Sequence, residues 1–245
     1  MKFKILLAIS KFRGNVLKNI LYLSGFKIIR DHWIYTRELS SNSVVIDLGA
    51  NTGTFSDILI NDFQSKCFAV EPNLTLFNNL NNNKLTKVNA AVTKNDGPVE
   101  FFISENHEAS SINNNFQTLW SVAEKQTIDG ISWESLLTKL SLNSSNIEVL
   151  KMDVEGAELD IIDTLNGNNT KNVRQVTIEF HHHLNPGLHD RTRQSIKKLL
   201  SLGYTGIANS ISPTEVLFLK ESNYRFTLFQ KVMLAMYKQL RFSPY

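Results

Sequence analysis

A chain of 245 residues with 42% apolar content has ample material for a packed core, as one domain with extensions or as two small ones. Its one cysteine, Cys67, excludes an internal disulfide framework and fits a reducing, cytoplasmic compartment; lying in an apolar run, it reads as a core residue rather than a nucleophile. The net charge of +3 conceals seven bases and no acid in residues 1–30, fourteen bases against twenty-two acids in 31–219, and five bases against one acid in 220–245. An acidic body with basic ends lacks the basic stripe that flanks the active site of a nucleic-acid enzyme, so no nucleic-acid partner is expected.

In chain order, Ile5, Ile9, Phe12, Val16, Ile20 and Leu23 recur at helical steps, with Lys4, Lys11 and Lys18 on the other side. This predicts an amphipathic helix over residues 3–23, packed on the domain or resting on an anionic membrane surface through residues 1–30. The apolar run is shorter than the roughly 20 residues a bilayer needs, and without a small-residue cleavage site no signal peptide is expected. Val44 to Leu48 predicts a strand buried on both faces, and Phe55, Ile58, Leu59 and Phe63 a helix. Cys67 to Val70 predicts a second strand ending in Glu71-Pro72, and residues 73–83 a helix fraying into Asn-rich sequence. Val88 to Val92 reads as a third strand, Asn95-Asp96-Gly97-Pro98 as a turn and Val99 to Ile103 as an added strand.

Residues 104–127 are polar and unpatterned, as in a lid or substrate loop, which makes Ser110 and Ser111 candidate acceptor contacts. Ser132 caps a helix running to Leu140. Strands over Ile147–Met152 and Val173–Phe180 alternate with helices over Glu158–Leu165 and His189–Leu202, the last closed by Gly203. Residues 204–209 and 215–219 suggest a closing antiparallel hairpin. The alternation predicts an α/β fold: a mostly parallel, doubly wound sheet with helices on both faces.

The stretch Asp47-Leu48-Gly49-Ala50-Asn51-Thr52-Gly53 follows the first buried strand and precedes a helix. Strand, glycine turn and helix build a ligand site at the carboxyl edge of an α/β sheet, because glycine admits a close backbone approach and the helix start offers free N–H groups. The spacing is neither the dinucleotide fingerprint G-x-G-x-x-G nor a phosphate-cradling P-loop, and D-x-G-x-N-x-G resembles the first motif of S-adenosylmethionine (AdoMet) dependent methyltransferases. Glu71 ends the next strand 22 residues after Gly49, a distance at which an acid accepts hydrogen bonds from a ribose diol. The expected cofactor contacts are Asp47, Gly49, Ala50, Asn51, Gly53, Phe55, Glu71, Pro72 and Asp153.

A second stretch, Lys151-Met152-Asp153-Val154-Glu155-Gly156-Ala157-Glu158, delivers carboxylates at a strand's carboxyl end. Asp153 and Glu155 lie close enough to repel, so one is expected to hold its proton more tightly unless a cation offsets it. Asp153 suits AdoMet's ammonium group or a catalytic part, and Glu155 the acceptor, while Glu158 reads as a first-turn acid placed for the helix dipole. Strand alternation puts Glu179, His181 and His183 on one side of the fifth strand's end. His181 is the expected general base, oriented by Asp153 or Glu179, with His183 near the acceptor. The rival is a divalent metal held by Asp153, Glu179 and His181; the metal-free route is preferred, because adjacent strand residues seldom converge on one ion.

The stretches V-I-D-L-G-A-N-T-G-T-F-S, V-E-P, K-M-D-V-E-G-A-E-L and I-E-F-H, within about residues 44–183, resemble the FkbM family of AdoMet-dependent methyltransferases. The resemblance implies a Rossmann-like class I fold, AdoMet as cofactor, and methyl transfer to a hydroxyl of a sugar, glycan or natural product. Ser132-Trp133-Glu134-Ser135 replaces the leucine-aspartate pair common before the family's fourth strand. The implied layout is a basic helical extension over 1–40, a methyltransferase domain over 41–219 and a basic tail or helix over 220–245. Two readings compete with it: a methyltransferase-like module without catalysis that binds glycan-assembly enzymes, and an NAD-dependent oxidoreductase, which the glycine spacing disfavours.

Overall fold

The computed structural model describes residues 14–104, 122–183, 185–208 and 214–240. Helix α1 (14–24) leads into a hairpin of β1 (Phe26–Ile29) and β2 (His32–Tyr35). The central sheet uses β3 (Val44–Leu48), β4 (Lys66–Val70), β5 (Thr86–Val88), β9 (Ile147–Met152), β10 (Val173–Glu179), β11 (Thr205–Ala208) and β12 (Glu215–Leu219). Its order is β11-β12-β10-β9-β3-β4-β5, with β12 antiparallel to both of its neighbours and the β3, β4, β5, β9 and β10 pairings parallel. The expected hairpin of the last two strands is present, with β12 slotted between β11 and β10. From β3 the chain winds outward through α2 (Thr54–Phe63), β4 and α3 (Leu74–Asn79) to β5, then returns to β9 on the other side of β3. The carboxyl ends of β3 and β9 therefore flank the point where strand order reverses, which is where open α/β sheets bind ligands.

All residues of β3 and β9 are buried, as strands covered on both faces must be. One face carries α4 (Trp133–Lys139), α5 (Glu158–Thr164) and α6 (His189–Ser201) through Trp133, Leu136, Ile161, Ile162, Ile196 and Leu199. The other is covered by α2 and the hairpin, through Phe55, Leu59, Ile29 and Ile34. Ser132 caps α4 as expected, its Oγ accepting from Ser135 N. Cys67 is buried and its thiol is pushed up to about 12 by that burial, so it is a core residue and not a nucleophile.

Three segments differ from the sequence reading. Residues 88–92 do not form one strand: β5 ends at Val88, and β6 (Ala91–Val92) joins β7 (Gly97–Ser104) and β8 (Val122–Ile131) in a separate three-stranded sheet. Asn89 causes the break by donating from Nδ2 to the Glu71 and Pro72 carbonyls, which turns the chain out of the main sheet. Residues 122–127 belong to β8, where Glu124, Lys125 and Gln126 face β7 in register; strand pairing overrode their polarity. Residues 26–35 are a β hairpin rather than part of a helical extension, since β2 docks flat on the sheet. Gln175 grips it at Tyr35, accepting from the backbone N–H at 3.0 Å and donating to the carbonyl at 3.1 Å.

Helix α1 buries Leu17, Ile20, Leu21 and Ser24 and leaves Leu23 exposed, a face rotated from the one predicted. It meets α7 (Leu228–Leu240) in a core with Leu234 and Tyr237, and Gln230 Nε2 donates to Ser24 O at 2.8 Å. Among the described residues no helix is long and apolar enough to cross a membrane.

Candidate active site

The turn after β3 is built by left-handed backbone at Gly49 (φ 75°), Asn51 (φ 51°) and Gly53 (φ 77°). Gly49 is forced by contact as well, since a Cβ there would stand 1.8 Å from the Asp153 carbonyl oxygen. Substituting Gly49→Ala should cost about 1–2 kcal/mol from left-handed strain alone and part the two strand ends, weakening cofactor binding roughly tenfold or more. Calorimetry with S-adenosylhomocysteine checks this, and an affinity equal to the parent's would refute it.

On one side of this turn lies an open cleft. Gly49, Asn51, Glu71 and Pro72 line its polar part and Val70, Leu76, Val92 and Phe101 its apolar part. Glu71 is 4% exposed; Oε2 accepts from Asn51 N at 2.7 Å and Oε1 from Asn73 N at 2.8 Å. Each oxygen retains a lone pair, so a ribose diol at the cleft has a ready acceptor. Burial pushes the Glu71 carboxyl up to about 7, against the two N–H groups that favour its charge.

The ionised form of Glu71 is the one that accepts from a diol. AdoMet affinity should therefore rise as pH increases through about 7, with proton release on binding below that pH. Glu71→Gln should abolish that pH dependence, and Glu71→Ala should weaken binding by roughly 1–3 kcal/mol. Calorimetry in buffers of different ionisation enthalpy measures both effects. A pH-independent parent affinity would remove Glu71 from the ribose.

Across the turn lies a second, polar pocket of about 700 Å³, lined by His32, Phe55, Lys151, Asp153, Glu155 and Glu179. It shares Gly49, Asn51, Asp153 and Glu155 with the first cleft. Lys151, at the end of β9, is 4% exposed and lies 3.1 Å from Asp47 Oδ1 and 3.4 Å from Asp153 Oδ2, while donating to Gly49 O at 2.9 Å. Burial opposes the charge of both Lys151 and Asp153, but their pairing outweighs it: Lys151 is shifted up, and Asp153 is held below the usual carboxylate range with help from His32 and His181. Glu155, pushed up by its own burial against a hydrogen bond from His181, is the member of the close carboxylate pair that holds its proton more tightly.

Several expected positions need correction. Asp47 lines neither pocket: it is 0% exposed, with one oxygen accepting from Ser56 Oγ at 2.8 Å and the other facing Lys151. The strand does not continue through the histidines. It stops at Glu179, and His181–His183 form a 3₁₀ turn, so the side chains at 179, 181 and 183 are not aligned by strand alternation. His181 is not a free base. Its Nδ1 lies 2.9 Å from Glu158 Oε1 and its Nε2 3.1 Å from Glu155 Oε2. Burial opposes its charge, yet Glu158 and Glu155 push it up to about 12, so it stays an imidazolium with no lone pair to offer.

His183 is exposed, stacked beside His181 and outside both pockets. Ala50 and Phe55 line the polar pocket rather than the first cleft, and Gly53 faces Leu80. Ser110 and Ser111 lie outside the described residues. The rival metal set of Asp153, Glu179 and His181 is not one that the fold brings together. Two other trios come together, His32 with Asp153 and Glu179, and Asp153 with Glu155 and His181, each with one ligand atom apiece within 4.8 Å of one another.

Three residues escaped the sequence reading. His32 arrives from the hairpin, far from any motif. Lys151 lay within a motif but looked like a strand residue. Glu158 does more than face a dipole: it accepts from Val154 N and Gly156 N at 3.1 Å, which fastens the turn where Glu155 (φ 53°) and Gly156 (φ 99°) are left-handed. The spacing of Glu158 from Val154 and Gly156 was its one visible signal.

A mainly parallel sheet with a glycine turn at its switch point, and acids at the carboxyl ends of the strands on either side of it, is the architecture of a Rossmann-like class I methyltransferase. A sequence model described as Methyltransferase FkbM domain matches residues 47–205, and the chain belongs to that family, whose methyl donor is AdoMet. A search of curated proteins finds no match. Among solved structures, the Methanococcus jannaschii fibrillarin pre-rRNA processing protein is 11% identical, with TM-score 0.41 over 81% of this chain and 71% of that one. The precorrin-6y C5,15-methyltransferase of Geobacter metallireducens is 12% identical, with TM-score 0.36 over 69% and 67%. The geranyl diphosphate C-methyltransferase of Streptomyces coelicolor is 8% identical, with TM-score 0.38 over 87% and 73%.

Proposed function

We propose that this AdoMet-dependent methyltransferase acts on oxygen, methylating a hydroxyl of a sugar, glycan or similarly hydroxylated natural product. The observation that carries the reading is the polar pocket beside the cofactor cleft, where a neutral imidazole and partly buried carboxylates meet. Such groups hydrogen-bond a hydroxyl-rich acceptor and offer little to an apolar one. When bound, AdoMet supplies an electrophilic methyl group on a sulfonium. Glu71 accepts from its ribose, and the apolar wall at Val70, Leu76 and Phe101 suits its adenine.

An alcohol is a weak nucleophile at neutral pH, so the protein's contribution is to hold the hydroxyl close and draw off its proton. His32, Asp153 and Glu179 form the group that does so. Burial lowers the His32 imidazole, against the nearby charge of Asp153, and favours its neutral form. Glu179 makes no hydrogen bond or ion pair among the described residues, and burial beside Asp153 pushes its carboxyl up to about 7.

The test is transfer from methyl-labelled AdoMet to a panel of sugars, glycans and hydroxylated polyketides, with the product's linkage read by mass spectrometry and NMR. A methyl ether is expected. A labelled N-methyl or C-methyl product would overturn the reading. So would S-adenosylhomocysteine binding without transfer to any acceptor, which would favour a binding module.

A further inference from the structure

The polar pocket holds more negative charge than its own cations balance. Four carboxylates line it, Asp31, Asp153, Glu155 and Glu179, against two permanent cations, Arg30 and Lys151. Lys151 pairs with Asp47 and Asp153, and His181 with Glu155 and Glu158, while the Glu179 carboxylate has no ion-pair partner among the described residues. A half-buried carboxylate left in this way invites a cation from outside.

His32 is built to receive one. It is 2% exposed on β2, with its ring edge on Phe55, and its Nδ1 lies 3.1 Å from Thr177 Oγ1. That contact fixes the ring, and with Nδ1 donating to the threonine oxygen, Nε2 keeps its lone pair. Nε2 stands 3.8 Å from Asp153 Oδ2, beyond hydrogen-bond range but within the spacing of two ligands on one ion. A metal-binding histidine commonly donates its other ring nitrogen to such a second partner.

We propose that His32, Asp153 and Glu179 bind one divalent cation of the Mg²⁺ or Mn²⁺ type at the floor of the polar pocket. One imidazole and two carboxylates are oxygen-rich and suit hard cations, with open positions left for acceptor oxygens. Lys151 lies 3.4 Å from the same Asp153 oxygen and makes the site weaker than an all-carboxylate one, which fits an ion that arrives with its acceptor. The inference deepens the proposed O-methylation: a cation there would grip a hydroxyl and make it more acidic.

The experiment titrates Mn²⁺ into the full-length, chelator-treated chain in the presence of S-adenosylhomocysteine, followed by electron paramagnetic resonance and calorimetry. One saturable equivalent is expected. Glu179→Gln and His32→Ala should each weaken it at least tenfold, and Thr177→Val, which removes only the second partner, by about 10–100-fold. Glu155→Gln should change it little.

S-adenosylhomocysteine binding is recorded in every variant, so a chain that does not fold or does not bind the cofactor product is distinguished from one that merely lacks the metal. Absence of saturable Mn²⁺ binding in a chain that binds S-adenosylhomocysteine would overturn the site. So would Mn²⁺ affinity that survives Glu179→Gln but is lost in Glu155→Gln. Stimulation of transfer by an amine-bearing acceptor alone, with no Mn²⁺ bound, would assign the surplus charge to the acceptor and overturn the inference too.

Discussion

Replacing Lys151 by methionine should lower the unfolding free energy by about 3–5 kcal/mol, although methionine fills nearly the same volume. The reason is what remains behind. Asp47 is 0% exposed in the middle of the sheet, and Lys151 is the cation that faces its Oδ1, at 3.1 Å. Without the ammonium group, Asp47 keeps only the hydroxyl of Ser56, and Asp153 loses its nearest positive charge. An uncompensated buried charge costs far more than a lost surface pair. For a chain of this size the melting temperature should fall by about 10 °C or more.

A double-mutant cycle tests the cause. Lys151→Met with Asp47→Asn removes both charges and should recover a large part of the loss, giving a coupling of about 0.5–3 kcal/mol. A single variant within 1 kcal/mol of the parent, or a double variant no better than the single, would show that the pair is not what holds the switch point together. The same substitution should also disturb the cofactor turn, because Lys151 Nζ donates to the Gly49 carbonyl at 2.9 Å.

Lys151 also shows where reading the chain stops. The strand β9 was legible because Ile147, Val149, Leu150 and Met152 make a nearly continuous apolar run, but that run gives the lysine within it no role. Only the parallel register, which pairs Lys151 with Asp47 across the strands, shows that the interruption is an internal ion pair. The glycine turn and Glu71 were legible for the opposite reason: their roles follow from backbone conformation and strand ends, which local sequence dictates. The histidine cluster misled because alternation holds only while a chain stays extended, and the backbone turns into a 3₁₀ helix at His181. His32 was beyond reach, since no local pattern says that a hairpin 145 residues away will lay its imidazole against Thr177.

Substituting His32→Ala should lower methyl transfer about 10²–10⁴-fold, while S-adenosylhomocysteine affinity stays within about twofold of the parent. His32 lines the polar pocket proposed for the acceptor and not the cleft proposed for the cofactor, so the loss belongs in turnover and not in cofactor binding. Two imidazoles border Asp153, and their surroundings assign them opposite work. His181 is gripped at both nitrogens, by Glu158 at 2.9 Å and Glu155 at 3.1 Å, and stays charged. Burial favours the neutral form of His32, which lines the polar pocket with Asp153 and Glu179.

A neutral nitrogen with a lone pair serves the chemistry whether it takes the proton itself or holds a cation that makes the hydroxyl acidic, so the loss is expected under either route. His181→Ala makes the contrast. It strands two carboxylates, one of them the 1% exposed Glu158, and its main cost should appear as lost stability. Steady-state turnover and thermal melts on both variants separate the roles. Parent-like turnover in His32→Ala, with a large loss of turnover in a fully folded His181→Ala, would return the proton chemistry to His181 and remove it from the hairpin.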